Sequence, residues 1–164
     1  MGSDNFSPNV AGMNLFIPAF SGLPAVRRPI SAHQQGGISM RGIGFYFFLA
    51  GALCVTIGML WGIHMSASQN HTLAGAHAHL NLIGWVTMGL FGIYYTLTPH
   101  AAATMLAKVH LAVALLGVII IVPGIVLAIQ GTTEVLAILG SLLTVTSMVI
   151  FLITVFRQGL GAKA

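Results

Sequence analysis

Four long apolar segments dominate this sequence and limit the folds that are open to it. They cover about residues 43–64, 75–97, 105–129 and 135–156, with short polar connections between them. A helix needs about 20 apolar residues to cross the hydrocarbon core of a bilayer, whereas the strands of a membrane barrel are much shorter. Because backbone groups in lipid must be hydrogen-bonded within the chain, these segments predict helices. We therefore predict an all-α integral membrane protein, folded as a bundle of four transmembrane helices.

The composition supports this assignment. Hydrophobic residues make up 57% of the chain and charged residues only 5%, and the mean hydropathy is +0.96. So few charges do not cover the surface of a water-soluble domain. The formal net charge of +4 would suggest nucleic acid in a soluble protein, but here the basic residues flank the apolar segments. We expect the lipid bilayer, and not nucleic acid, to surround the chain.

Residues 1–38 predict an extended N-terminal tail ahead of the membrane domain, residues 39–164. The tail is rich in Gly, Pro, Ser and Asn, and Pro18, Gly22 and Pro24 interrupt its one apolar stretch. That stretch is too short to span a bilayer, and no basic residues precede it as they would in a signal peptide. We expect the tail to lie on the membrane surface or on a partner.

All six Lys and Arg residues fall on one side of the predicted bundle. Three precede the first helix, one lies at the turn between the second and third helices, and two follow the fourth: Arg27, Arg28, Arg41, Lys108, Arg157 and Lys163. Cytoplasmic loops are enriched in these residues. We therefore predict that both termini are cytoplasmic, in a bacterial inner membrane, and that the short connections make consecutive helices antiparallel neighbours.

Four of the seven histidines fall at the opposite, outer side. His64 ends the first predicted helix, His71 lies in the following turn, and His77 and His79 begin the second helix. Histidines gathered at one level can provide the ligands of a haem or a copper ion.

Helical geometry separates His77 from His79, because two positions along a helix are about 200° apart. The face of His77 continues through Asn81, glycines and aromatic residues, whereas the face of His79 is aliphatic. Polar and small side chains favour a bundle interior, and aliphatic ones favour lipid. His77 is therefore predicted to point inward as the principal ligand, and His79 toward headgroups or a neighbouring subunit. His64 remains an alternative ligand, because its own face mixes aromatic and apolar residues that suit a core.

Small residues on the third and fourth helices predict close helix packing. His110 shares its face with Ala114, Gly117, Ile121 and Gly124. It predicts either a hydrogen bond between helices or a second metal site. The fourth helix carries a similar face of Gly140, Thr144, Ser147 and Thr154, which we interpret as packing and interhelical hydrogen bonds. Pro123 predicts a kink in the third helix.

The second helix resembles a known family. The motif His77-x-His79-Leu80, followed by Trp85, Gly92, Tyr94-Tyr95 and Pro99, resembles the second helix of the haem–copper oxidase superfamily, especially nitric oxide reductase and cbb3-type catalytic subunits. In those proteins the first of these histidines ligates the low-spin haem. The resemblance therefore implies haem b bound through His77, with Trp85 in the same motif. Asn81 joins the predicted cofactor-binding residues because it shares the helical face of His77. Trp61 and Tyr95 are further aromatic neighbours that we expect beside the cofactor.

The family's catalytic subunits have many more membrane helices, and this sequence contains no His-His pair from which to build their binuclear centre. We therefore do not expect catalysis by this chain alone. The first hypothesis is a b-type cytochrome for electron transfer or diatomic gas sensing, with a second axial ligand from His64, His79 or another subunit. The second is a non-catalytic accessory subunit of a larger respiratory or photosynthetic complex. The third is a copper-binding protein that uses the outer histidines and Met65. Small-residue faces also favour a homo-oligomer.

Overall fold

The computed structural model describes residues 42–161, and these residues contain the four predicted helices. Helix α1 spans Ile43–Ser68, α2 Ala74–Leu97, α3 Met105–Ile129 and α4 Val135–Gln158. Each is long and apolar enough to cross a membrane, so the predicted all-α, four-helix membrane fold is confirmed. A single helical turn, Pro99–Ala102, joins α2 to α3. The predicted tail, residues 1–38, lies outside the described residues.

The two ends of the bundle differ in chemistry. His64, His71, His77 and His79 belong to one end, which we call the histidine end, whereas Lys108 and Arg157 are exposed at the other, the basic end. The helix bounds agree with the prediction except at the end of α1. This helix continues one turn past His64 and stops at Gln69, whose left-handed backbone (φ 53°) lets its N–H donate to the Ser66 carbonyl. Helix α3 runs without interruption through Pro123.

Glycines at intervals of seven residues bring α1 against α2. Gly44, Gly51 and Gly58 are all buried, and each would place a Cβ too close to the neighbouring helix. A Cβ on Gly44 would lie 2.8 Å from the Gly92 carbonyl oxygen, and one on Gly58 would lie 2.5 Å from Oδ1 of Asn81. A repeat of seven residues keeps one face of a helix toward its partner. These glycines therefore fix the close approach of the first hairpin.

The predicted small-residue faces join α3 to α4, as expected. A Cβ on Gly140 would lie 2.5 Å from Cα of Ile121, and one on Gly124 would lie 2.5 Å from the backbone nitrogen of Ala137. Glycine at such positions lets two backbones approach closely in a membrane, where dispersion contacts drive much of helix association.

The core where the two hairpins meet is aromatic and lies toward the basic end. Phe47 of α1, Phe91 and Tyr95 of α2, and His110 of α3 are all at most 2% exposed. Phe151 of α4 completes the cluster, with its ring centroid 4.5 Å from that of Phe91. In the described part of the chain, every buried side-chain polar atom has a hydrogen-bond partner.

A wider helical stretch, Leu80–Thr87, interrupts α2 with π-type turns. The Thr87 hydroxyl donates to the Leu82 carbonyl, five residues earlier, at 2.9 Å. Such a stretch shifts the phase between the residues before and after it. Leu80 is accordingly buried, and Ile83, which the regular period places in lipid, is partly covered.

Candidate functional site

His77 lies between α1 and α2 at the histidine end. Its side chain is half-buried, and its ring is perpendicular to that of Trp61, with the centroids 6.1 Å apart and the planes at 90°. Gly62 provides the space for the ring, since a Cβ there would lie 3.3 Å from Cε1 of His77. His77 therefore points inward, as predicted, and its ring packs against α1.

Asn81, one turn along α2, orients His77. Its amide nitrogen donates to the His77 backbone carbonyl at 2.8 Å and lies 3.3 Å from Nε2 of the imidazole. The amide itself packs tightly against α1, since a Cβ on Gly58 would lie 2.5 Å from Oδ1 and 2.7 Å from Nδ2 of Asn81. The same amide nitrogen lies 3.5 Å from Nδ1 of His77, so it stands beside both ring nitrogens. Groups outside the first ligand shell commonly orient the histidine ligands of metal sites, and Asn81 occupies such a position.

His79 is exposed on the other face of α2. Its Nδ1 lies 2.8 Å from the Gly75 carbonyl oxygen. A carbonyl only accepts hydrogen bonds, so Nδ1 is the donor, and in the neutral imidazole Nε2 then carries the lone pair. The predicted peripheral position of His79 is therefore observed. Because Nδ1 is bonded to the Gly75 carbonyl, Nε2 is the nitrogen that is available to a metal or to another molecule.

His64 is exposed, whereas the residues on its helical face were compatible with a position in the core. Tyr46 and Ile57 on that face are 53% and 56% exposed, because the buried glycines direct a different side of α1 toward α2. His64 borders a cavity of about 150 Å³, together with Trp61, Met65, Ser68, Asn70 and Leu73.

The tryptophan next to His77 is Trp61 of α1, which the resemblance did not mark. Trp85, the predicted cofactor neighbour, packs against Phe48 instead, with ring centroids 5.8 Å apart, and lines a groove of about 310 Å³ on the outside of the α1–α2 hairpin. Of the aromatic neighbours predicted for the cofactor, Trp61 is therefore the one that contacts His77.

His110 is fully buried among Phe47, Phe91 and Phe151. Its Nδ1 is 3.0 Å from the Tyr95 hydroxyl oxygen, and its Nε2 is 3.1 Å from Oγ of Ser147. The two bonds connect α2, α3 and α4. We predicted either a hydrogen bond between helices or a second metal site for His110. The structure shows hydrogen bonds between helices, and they involve both ring nitrogens.

The arrangement of the histidines can be compared with the number of protein ligands that each kind of cofactor needs. Among residues 42–161, no three His, Cys, Asp or Glu side chains come together as a set that could hold a metal ion. A protein zinc site needs three or four such ligands, whereas haem iron needs one or two axial ligands because the porphyrin supplies the rest. The imidazoles of the histidine end fit an axial role. The aromatic core is filled by side chains, so a haem would lie at the rim of the histidine end.

No protein-family profile, curated protein or solved structure matches the chain. The resemblance of α2 to the haem–copper oxidase superfamily therefore stays a prediction.

Proposed function

We propose that this protein is a membrane b-type haem protein that binds haem at the histidine end through His77, for electron transfer or diatomic gas sensing. One observation carries the proposal. His77 is the only histidine of that end that is inserted between two helices, with Trp61 and Asn81 fixing its ring. An axial ligand held in this way is oriented before the cofactor arrives.

The haem would supply a one-electron redox centre or a site for a diatomic ligand. The chain's own contribution is positional: Asn81 and Gly62 set the direction of the His77 ring, and the Trp61 ring packs perpendicular to it. A second axial ligand from within the subunit would be His64 or His79, and both are exposed. Their exposure supports a site completed at the protein surface, by a second copy of the chain or by a larger complex.

The experiment is a comparison of visible spectra. The protein, expressed with added haem precursor and purified in detergent, is expected to show a reduced α-band in dithionite and to contain iron. His77→Ala should lose the band, and added imidazole should restore part of it. His71→Ala, an exposed turn residue, is the matched control and should keep the band. A protein that is colourless and free of iron refutes the proposal.

A second candidate function is a non-catalytic accessory subunit of a larger membrane complex. The observation that favours it is the filled core, in which both nitrogens of His110 bond to Tyr95 and Ser147. The described residues include a single acidic side chain, Glu134, which is exposed. This candidate predicts a colourless protein that co-purifies with a larger complex. Equimolar copper without iron would instead support the copper-binding alternative around His64 and Met65.

A further inference from the structure

A cavity of about 140 Å³ lies at the basic end, between the start of α3 and the end of α4. Its lining residues are Thr104, Leu106, Thr154, Arg157 and Gln158. A cavity of roughly 10–15 Å³ already holds one water molecule, so this one has space for a group of several heavy atoms. Because one membrane helix begins and another ends beside it, the cavity lies at the level where hydrocarbon gives way to lipid headgroups.

Few polar groups of this cavity remain to bind a ligand. The hydroxyls of Thr104 and Thr154 each donate to a backbone carbonyl at 2.8 Å. The remaining side-chain donors are the guanidinium of Arg157 and the amide of Gln158, and Leu106 adds an aliphatic surface. The cavity therefore combines a cation with hydrocarbon, and a phospholipid presents the matching pair of groups where its headgroup joins its acyl chains.

Arg157 has no carboxylate partner in the described part of the chain. Residues 42–161 contain one acid, Glu134, which immediately precedes α4, whereas Arg157 lies in the last turn of that helix. A helix of 24 residues rises about 35 Å, so the two charges lie near opposite ends of the bundle. Basic side chains in a last turn commonly bind the terminal carbonyls, but the two carbonyls that follow Arg157 already accept bonds from α2 and from the turn after it, at 2.8 and 3.1 Å. The guanidinium is therefore available to an anion outside the chain.

We propose that this cavity binds the phosphate of an anionic glycerophospholipid through Arg157 and Gln158. The planar guanidinium donates two parallel hydrogen bonds to phosphate oxygens, and the amide nitrogen of Gln158 donates a third. The carbon atoms next to the phosphate contact Leu106, and the acyl chains continue into the bilayer. Basic pockets between membrane helices bind lipid headgroups in this way. A free phosphate ion would gain nothing from the hydrocarbon of the lining, so the lining favours a lipid.

The charges around the cavity favour an anionic headgroup over a zwitterionic one. A zwitterionic headgroup carries a cation next to its phosphate, and like charges at short distance repel each other. An acid beside Arg157 would compensate for that cation, but the one acid among residues 42–161 is Glu134 at the histidine end. The cavity lies at the opposite end of the bundle from His77, so the proposal does not depend on haem.

Native mass spectrometry of the full-length protein in dodecyl maltoside tests the proposal, because it resolves the first bound lipid. The protein is titrated with dioleoylphosphatidylglycerol, which is anionic, and with dioleoylphosphatidylcholine, which is zwitterionic and has the same acyl chains. We expect the first phosphatidylglycerol to bind about tenfold more tightly, the factor for one hydrogen bond between charged groups. Arg157→Gln should reduce the affinity for phosphatidylglycerol to that for phosphatidylcholine. Lys108→Gln removes the same charge from an exposed site at the same end and should bind like the wild type.

A second pair of variants tests whether the lipid enters the cavity. Leu106→Trp fills the cavity and keeps every charge, and it should weaken phosphatidylglycerol binding to the same extent as Arg157→Gln. Val109→Trp, at a site on α3 that is 45% exposed, should not weaken it. A thermal melt of each variant establishes that it is folded.

Four outcomes overturn the proposal. The two lipids may bind equally, Lys108→Gln may weaken binding as much as Arg157→Gln, or Leu106→Trp may bind like Val109→Trp. In the fourth, an excess of inorganic phosphate displaces the lipid, which identifies a site for the free ion. The presence or absence of haem does not alter these outcomes.

Discussion

Replacing Gly140 by alanine tests whether backbone contact between α3 and α4 holds the second hairpin together. A Cβ at this position would lie 2.5 Å from Cα and 2.6 Å from N and Cβ of Ile121. Ordinary contacts to a Cβ begin near 3.4 Å, and a backbone atom has no rotamer by which to move away. The two helices must therefore separate locally by about 1 Å, a gap that removes a quarter to a half of each nearby dispersion contact.

The size of the effect follows from two opposing contributions. Overpacking of a close-packed interior costs about 1–3 kcal/mol, and a clash with backbone belongs at the upper end of that range. Alanine in place of glycine returns about 1 kcal/mol through helix propensity. We expect Gly140→Ala to lower the free energy of unfolding by about 2 kcal/mol, roughly a 30-fold change in the equilibrium constant.

Reversible unfolding in mixed micelles, titrated with SDS and followed by circular dichroism, measures this change. The matched control is Gly89→Ala, since the nearest atoms to a Cβ there are at 3.9 Å, in the ring of Trp85. The control should unfold at the wild-type midpoint or above it, by up to about 1 kcal/mol. If Gly140→Ala is as stable as the control, the close approach of α3 and α4 does not limit stability and the reasoning fails.

Three further predictions concern hydrogen bonds and the site at His77. Tyr95→Phe leaves a nitrogen of the buried α3 histidine unpaired and should cost about 1–3 kcal/mol in the same unfolding assay; an unchanged midpoint would mean that the bond contributes nothing. Tyr94→Phe removes the 2.8 Å bond from its hydroxyl to the Gly159 carbonyl. Amide exchange measured by mass spectrometry should then rise after α4 and not in α3, and a uniform rise would point to global loosening. Gly58→Ala would displace the Asn81 amide and should weaken haem binding about tenfold in haem titrations, with Gly89→Ala again unaffected.

The fold follows largely from the sequence, because each transmembrane segment must satisfy its own backbone in lipid. That requirement is local, so the length and hydropathy of a segment are enough to predict the helix, and the four predicted ranges agree with the observed ones to within a turn. The main difference is at the end of α1. The segment Met65–Ser68 is less apolar than the preceding turns, yet it continues the helix until Gln69 closes it.

The directions of the histidines were partly predictable. The period of α2 separates His77 from His79 before any neighbour is known, and the observed exposures agree with that separation. His64 was not predictable in this way, because a helix with apolar residues on every side carries no signal of its buried face. The glycines at 44, 51 and 58 decide that face by allowing close contact, and a seven-residue spacing in sequence acquires this meaning only once α2 is its partner.

The identity of long-range partners depended on tertiary structure alone. Tyr95 and Ser147 belong to different helices from His110, and their bonds to it require a particular depth and rotation of all three. The π-type stretch of α2 contributes to that rotation, and nothing in the helical period predicts it. The length and chemistry of the four membrane helices can be predicted from the sequence, since they follow from the solvation of each segment. Only packing decided which polar groups meet, because hydrogen bonds across helices act over about 3 Å and helical periodicity does not fix positions to that accuracy.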